Sequence, residues 1–353
     1  MRILIDIGHP AHVHLFKYFA RTMQQRGHLV LFTCRQKEYE KELLEAEGLA
    51  YHSFGKHYRS GRGKVLGLAR FNLLMLRVAL DFRPDVFMSH GSIYAAQVSW
   101  LLGKPHIALE DSGNMEQIRL YRPFSCCMLT PAVLPWDYGE KQIKYQGYHE
   151  LAYLHPYWYT PDPSVKAILQ VSDDQPYAIF RFVSWKATHD RGQKGLSDPM
   201  KRVLVDFVSH YMPVFISSEA PLPDDLKPFQ LSLPPQRMHD ALAFASLVIS
   251  EGATMACEAG ILGAPAIFAS SIKTYNNLDQ EKRYGSVYNI SREEEIPGKI
   301  WEIMKNHHEK QGIIKKIMED KIDVTSFLIW FVEQYPGSIR TMKENPDFQN
   351  SFR

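Results

Sequence analysis

Short unbroken apolar runs alternate with longer amphipathic stretches along the whole chain. Residues 2–7 place Ile3, Leu4, Ile5 and Ile7 almost without interruption, the pattern of a parallel strand covered on both faces. Residues 13–26 put Leu15, Phe16, Phe19 and Met23 on one face and stop at Gly27, which predicts a helix. A second strand over 28–33 completes a βαβ unit. The series continues with a helix over 37–47, a strand over 50–54, an apolar helix over 65–82 and strands over 84–89, 105–109, 126–130 and 142–145. The second half repeats it, with strands over 177–183, 213–216, 229–231, 246–249 and 265–268 and helices over 198–211 and 254–262. Two or three helices are expected over 292–332 and a polar tail over 335–353. This alternation predicts an α/β fold of two Rossmann-like domains with mainly parallel sheets. The expected boundaries are 1–155 for the first and 164–320 for the second, with the hinge inside 147–163. Residues 321–353 are expected to pack back on the first domain.

Composition narrows the function. Of 353 residues 45% are hydrophobic and 23% charged, as in soluble globular proteins. The net charge of +2 gives no reason to expect nucleic acid as a partner. The longest apolar stretches carry Arg or are too short to span a bilayer, and the chain enters a strand at once, without a signal-peptide pattern. Cys34, Cys126, Cys127 and Cys257 show no CxxC spacing and read as reduced thiols. The expected location is cytoplasmic. The basic segment 56–64 precedes a helix carrying Arg70 and Arg77. Residues 56–82 either touch an anionic membrane surface at its inner face or form a solvated loop and a core helix.

The densest chemical signal is residues 248–268, VISEGATMACEAGILGAPAIF. A buried strand leads into the small-residue turn Ser250-Glu251-Gly252-Ala253-Thr254, and an Ala-rich helix follows, its end bracketed by Gly260 and Gly263. Glu251, Gly252 and Thr254 therefore sit where a helix N-terminus can hold a phosphate. Glu258 lies four residues beyond Thr254 on the same helix face, where a carboxylate can accept both hydroxyl protons of a ribose. The competing reading is an ordinary packing unit with a solvated Glu258.

Other candidates fall at expected carboxyl ends of strands, where ligands bind in such sheets. The loop after the first strand, Gly8-His9-Pro10-Ala11-His12, lacks the G-x-G-x-x-G dinucleotide fingerprint. It holds His9 and His12, with His14 beyond. A metal reading is weak because residues two apart on a helix diverge; acid–base or phosphate chemistry and helix capping are the alternatives. Gly91 in His90-Gly91-Ser92 allows close backbone approach, and Ser92 can cap a helix. Glu110 and Asp111 are adjacent acids, one of which can serve as a base; Asp111 can instead cap a helix. In the second half Arg181, Ser184, Lys186 and His189 can donate to diphosphate oxygens. The amide-rich segment 270–280, with Asn277 and Gln280, suits sugar hydroxyls.

Glu258-Ala259-Gly260 and Gly263-Ala264-Pro265 resemble the donor-nucleotide segment of the glycosyltransferase-B (GT-B) superfamily. The style is that of the lipid II-forming N-acetylglucosaminyltransferase and the non-hydrolysing UDP-N-acetylglucosamine 2-epimerase. The whole chain also resembles an uncharacterised bacterial and archaeal family of that superfamily. The resemblance implies two Rossmann-like domains facing a central cleft, with Glu258 on the ribose. Gly8, His12 and Val13 match a glycine-rich loop ending in His-Val, although His9 and Pro10 replace glycines. Glu110 matches a catalytic glutamate by position, His189 can stand for a histidine of the matching loop, and Asn277, Asp279 and Gln280 loosely match an Asp-x-Gln. The implied activity is a glycosyltransferase of surface polysaccharide or glycoconjugate synthesis. Its donor is a UDP-sugar and its acceptor is unknown, with a lipid-linked one as an option. His12 or Glu110 is then the base. No metal or cofactor is expected, because helix N-termini with Ser184, His189 and Thr254 can carry the leaving diphosphate. The alternatives are a UDP-N-acetylhexosamine 2-epimerase using Glu110, Asp111 and His189, or a sugar-nucleotide-binding protein without catalysis.

Overall fold

The apolar runs assemble into two all-parallel sheets. The computed structural model describes residues 1–36, 39–56, 61–184, 195–306 and 309–353, with the side chains of 36, 56 and 61–66 left aside. Two compact units result, Met1–Trp158 with Lys321–Arg353, and Tyr159–Asp320.

The first unit contains β1 (Arg2–Ile7), β2 (Leu29–Gln36), β3 (Tyr51–Lys56), β4 (Val86–His90), β5 (His106–Leu109), β6 (Cys127–Pro131) and β7 (Gln142–Tyr145) in the order β3-β2-β1-β4-β5-β6-β7. Its connections carry α1 (Pro10–Gln25), α2 (Glu40–Ala46), α3 (Gly61–Phe82), α4 (Ile93–Leu101), α5 (Met115–Tyr121) and α6 (Leu151–Leu154). Ile3, Leu4, Ile5 and Ile7 of β1 have no exposed surface, as a strand buried on both faces requires. Phe71, Met75 and Ala79 of α3 pack with Leu4, Phe87 and Val98.

The second unit contains α7 (Val165–Ile168), β8 (Ala178–Phe182), α8 (Asp198–Ser209), β9 (Val214–Ser218), α9 (Met238–Phe244), β10 (Leu247–Ser250), α10 (Ala253–Ile261), β11 (Ala266–Ala269), α11 (Tyr275–Tyr284), β12 (Val287–Ile290), α12 (Ile296–Lys305) and α13 (Lys310–Asp320). Its sheet runs β12-β11-β10-β8-β9. The expected strand over 229–231 is replaced by a 3-10 turn at Lys227–Phe229 and a single bridge from Gln230 to Ile216.

The chain then returns to the first unit as α14 (Val324–Glu333) and α15 (Gly337–Glu344). The expected polar tail is folded: α15 leads into a 3-10 helix at Pro346–Phe352. Phe348 and Phe352 pack their rings on Trp330 at 4.7 and 5.5 Å. Two aromatics spaced four apart outweigh the polar residues around them. Among the described residues no helix is long and apolar enough to cross a membrane.

Candidate active site

In the first sheet the crossovers depart to opposite sides at β1 and β4. The carboxyl ends of these neighbouring strands form the edge where such sheets bind ligands. The ground beneath this edge is a buried polar network. Asp6, 1% exposed, accepts from Thr33 Oγ1 at 2.7 Å, Ser92 Oγ at 2.5 Å and Arg35 Nη1 at 2.8 and 3.2 Å. Arg35 Nη2 donates to the Ile7 carbonyl at 3.1 Å. Gly8 lies over this guanidinium, and a Cβ there would stand 3.0 Å from Nη2. Gly8 is thus fixed by Arg35 packing.

The predicted histidine loop is shorter than expected. Helix α1 starts at Pro10, because proline is preorganised for the first helical position. His9 is its N-cap, with Nδ1 accepting from the Ala11 N–H at 3.2 Å. One nitrogen of His9 therefore serves the helix, the capping alternative. His12 lies in the first turn and its Nδ1 accepts from the Gly8 N–H at 3.2 Å. That bond puts the proton of the neutral ring on Nε2. His12 consequently presents a donor, which corrects its expected role as a base. Burial, then the neighbouring imidazoles of His90 and His9, hold its pKa well below the usual value.

His90 closes β4 and stacks on His12 with ring centroids 4.4 Å apart. Its Nε2 is 2.8 Å from Asp111 Oδ1, and the other carboxylate oxygen is 3.1 Å from His149 Nδ1. Burial disfavours the charge on each partner. Even so, Asp111 raises the pKa of His90 to about 9, and His149 and His90 hold Asp111 well below the carboxylate range. Asp111 is therefore no helix cap; Asn114 caps α5. His90 and His149 were visible in the sequence beside Gly91 and Gly147, but only the fold brings them to Asp111.

Glu110 does something else. Its Oε1 accepts from the Ser112 N–H and hydroxyl at 2.7 and 2.6 Å and the Gly113 N–H at 3.0 Å, and its Oε2 accepts from the Tyr121 hydroxyl at 2.5 Å. Both oxygens are committed to the turn, which corrects the expectation of a base. Gly91, at φ +61°, approaches the same network, and a Cβ would stand 3.2 Å from the Tyr121 ring. Its glycine answers to the left-handed backbone and to Tyr121.

In the second unit, strand order changes direction between β8 and β10. Gly252 is the N-cap of α10, which has no side-chain cap, and Thr254 is exposed in its first turn. Glu258, 7% exposed, faces His239 of α9, with Oε1 3.0 Å from Nε2. Glu258 is thus held by a buried imidazole, and the solvated alternative falls. His239 escaped the sequence reading because α9 is separate in sequence and carries no motif.

Four expected ligand contacts become structural. Glu251 is 2% exposed and accepts from the Val183 N–H at 2.7 Å and the Leu196 N–H at 2.8 Å, with Lys201 Nζ at 3.4 Å. It joins Val183, just after β8, to Leu196, just before α8. Asn277 and Gln280 have no exposed surface and sit on α11. Asn277 Nδ2 donates to the Ala253 carbonyl at 3.2 Å, and Gln280 Nε2 to the Cys257 carbonyl at 3.2 Å. They fasten α11 to α10. Ser184 donates its N–H and hydroxyl to Glu219 at 3.1 and 3.2 Å, so both of its donors meet a carboxylate of the fold. Lys186 and His189 lie outside the described residues.

His90, Asp111 and His149 are the group of described side chains spaced to hold a metal, with ligand atoms within 4.8 Å of one another. An open depression of about 590 Å³ lined by Arg119, Arg122 and Lys141 lies beside the start of β7.

The fold is of the GT-B type, shared with solved UDP-GlcNAc 2-epimerases and glycosyltransferases. The UDP-GlcNAc 2-epimerase of Neisseria meningitidis, solved with UDP-GlcNAc, superposes with a TM-score of 0.65 at 13% identity over 94% of this chain and 98% of the other. The Methanocaldococcus jannaschii UDP-GlcNAc 2-epimerase, in complex with UDP-GlcNAc and UDP, gives 0.63 at 12% over 87% and 94%. The spinosyn rhamnosyltransferase SpnG gives 0.61 at 14% over 95% and 100%. Such identities speak for the fold alone. In sequence the chain is 22% identical to the uncharacterized protein MJ0665 of M. jannaschii over 277 residues, 75% of this chain and 80% of that protein. Residues 1–329 match the model of the family described as protein of unknown function (DUF354), and the chain belongs to that family.

Proposed function

We propose that this protein is a nucleotide-sugar-dependent glycosyltransferase of surface polysaccharide or glycoconjugate synthesis, with a UDP-sugar as donor. The observation that carries the choice of reaction is the commitment of Glu110 to Ser112, Gly113 and Tyr121. Epimerisation at C2 removes and returns a proton on the donor sugar and needs acid–base groups around it. The carboxylate best placed for that by chain position is spent on the fold. In the second unit, Glu258 beside His239 suits the ribose hydroxyls, and the first turn of α10 suits a phosphate. In the first unit, the Nε2–H of His12 suits an oxyanion, and Asp111 suits the acceptor side. Solved proteins of the same fold carry UDP-GlcNAc, which supports this donor class.

A lipid-linked acceptor has support from α3. Its exposed Leu73 and Leu80 lie between Arg70, Arg77 and Asp81 on one face, a mixture suited to the headgroup region.

The test is incubation of purified protein with UDP-GlcNAc, first alone and then with lipid-linked saccharide acceptors, followed by NMR of the sugar. Saturable binding without isomerisation, and UDP release on acceptor addition, is the expected result. Inversion at C2 without acceptor would replace this reading with the epimerase, and binding that never leads to turnover would replace it with a carrier.

A further inference from the structure

We propose that His90, Asp111 and His149 form a binding site for a divalent transition-metal ion. His90 is the last residue of β4, and Asp111 and His149 lie in the segments that follow β5 and β7 of the same sheet, so the ligands gather at the carboxyl ends of its strands. The donor set is two imidazole nitrogens and one carboxylate. That set suits zinc, iron(II), cobalt or manganese, and disfavours calcium and magnesium, which want oxygens.

The spacing agrees with this chemistry. With metal–ligand bonds of about 2.1 Å, two ligands at right angles lie about 3.0 Å apart, and tetrahedral ones about 3.4 Å. The observed separations from the Asp111 oxygens are 2.8 Å to His90 Nε2 and 3.1 Å to His149 Nδ1. These run to different carboxylate oxygens, so a rotation of the Asp111 carboxylate would have to turn one oxygen to both imidazoles; the three ligand atoms already lie within 4.8 Å of one another. Three protein ligands would leave positions for water or a substrate oxygen, the arrangement of catalytic rather than structural sites.

Two further features favour an ion. The neighbouring carboxylate, Glu110, is turned away to Tyr121 and Ser112, so Asp111 is the carboxylate left for it. His149 is 5% exposed, and it turns Nδ1 to Asp111 at 3.1 Å, so a buried imidazole nitrogen faces the carboxylate oxygen that His90 does not meet. His12 stacks flat on His90 and screens that ring without joining the donor set. A hydrogen-bonded His–Asp–His chain is the competing explanation of the same distances.

Binding of the ion does not depend on the sugar-nucleotide reading, so the experiment needs no sugar. Full-length protein, with any affinity tag removed and dialysed against chelator, is titrated with zinc chloride by calorimetry and with cobalt(II) by visible absorption. One equivalent of either ion should bind, with a dissociation constant below about 10 µM. Asp111→Asn and His90→Gln should each weaken binding by about tenfold or more. The ion should also raise the melting temperature of the wild type and not that of Asp111→Asn. No saturable binding at about 100 µM ion, or equal binding by wild type and both variants, would overturn the proposal in favour of the hydrogen-bonded chain.

Discussion

The carboxylate of Asp6 holds the guanidinium of Arg35 from below the β1–α1 turn, with Nη1 2.8 Å from one oxygen and 3.2 Å from the other. Both residues are buried. Removing one partner of a buried pair strands the other charge, which costs about 3–5 kcal/mol. Asp6→Ala should therefore lose that much stability in urea unfolding. A loss below about 1 kcal/mol would mean that the pair is solvated in solution.

Tyr121→Phe tests the assignment of Glu110 to the fold. The hydroxyl gives Glu110 one of its four hydrogen bonds, and a bond to a charged group is worth about 1.5–3 kcal/mol. The variant should melt earlier and bind UDP with unchanged affinity. A change in UDP affinity without a change in melting would return Glu110 to the ligand.

The fold class was legible because parallel strands buried on both faces write themselves as unbroken apolar runs. Elements such as β1 and α10 appear within a residue or two of their expected places. The candidate site was legible only in part. Strand ends mark position, so Gly8, His12 and Asp111 could be placed near the carboxyl edge of the first sheet from the sequence alone. Partner choice is a tertiary property. Nothing local in the sequence says that Asp111 meets His149, that Glu251 joins Val183 to Leu196, or that Asn277 and Gln280 face inward from a helix.

Gly260 shows how a motif can have a packing cause. It is the penultimate residue of α10, whose end Gly260 and Gly263 bracket, and a Cβ there would come within 2.3 Å of Gln280 Oε1 and 2.6 Å of Val287. Gly260→Ala should cost about 1–3 kcal/mol by overpacking, read by thermal melting. A neutral result would show that α11 and β12 yield easily.

Glu258→Ala should weaken UDP binding by about 1–3 kcal/mol, the scale of a lost charge-assisted hydrogen bond, in calorimetry. Glu251→Gln should affect UDP binding less and stability more, since its oxygens serve Val183 and Leu196. The reverse ranking would exchange their roles.

His106 makes stability depend on pH. Burial lowers its pKa to about 3, and its ring nitrogens meet Ser89 Oγ at 2.9 Å and Ser125 Oγ at 2.8 Å. The folded chain keeps this ring neutral, while the unfolded chain protonates it below about 6.5. Its contribution is complete above that pH and is lost as pH falls toward the folded value. Between pH 7 and pH 5 it should remove about 2 kcal/mol. Urea unfolding of wild type and His106→Gln at both pH values checks this, and equal slopes would show that His106 does not titrate on unfolding.

The return of residues 321–353 to the first unit makes the second unit an insertion in the first. The Trp158 indole N–H donates to Asp323 at 2.7 Å, so the backbone leaves and re-enters at adjacent points. A gene in which a short glycine bridge joins Trp158 to Lys321 should therefore yield a self-standing first unit, with Arg26 still paired to Glu333. Simple truncation after Trp158 would strip the cover from α1. The excised stretch Tyr159–Asp320 is continuous and can be produced alone, so sugar-nucleotide and metal affinities can be assigned to one half or the other by direct titration.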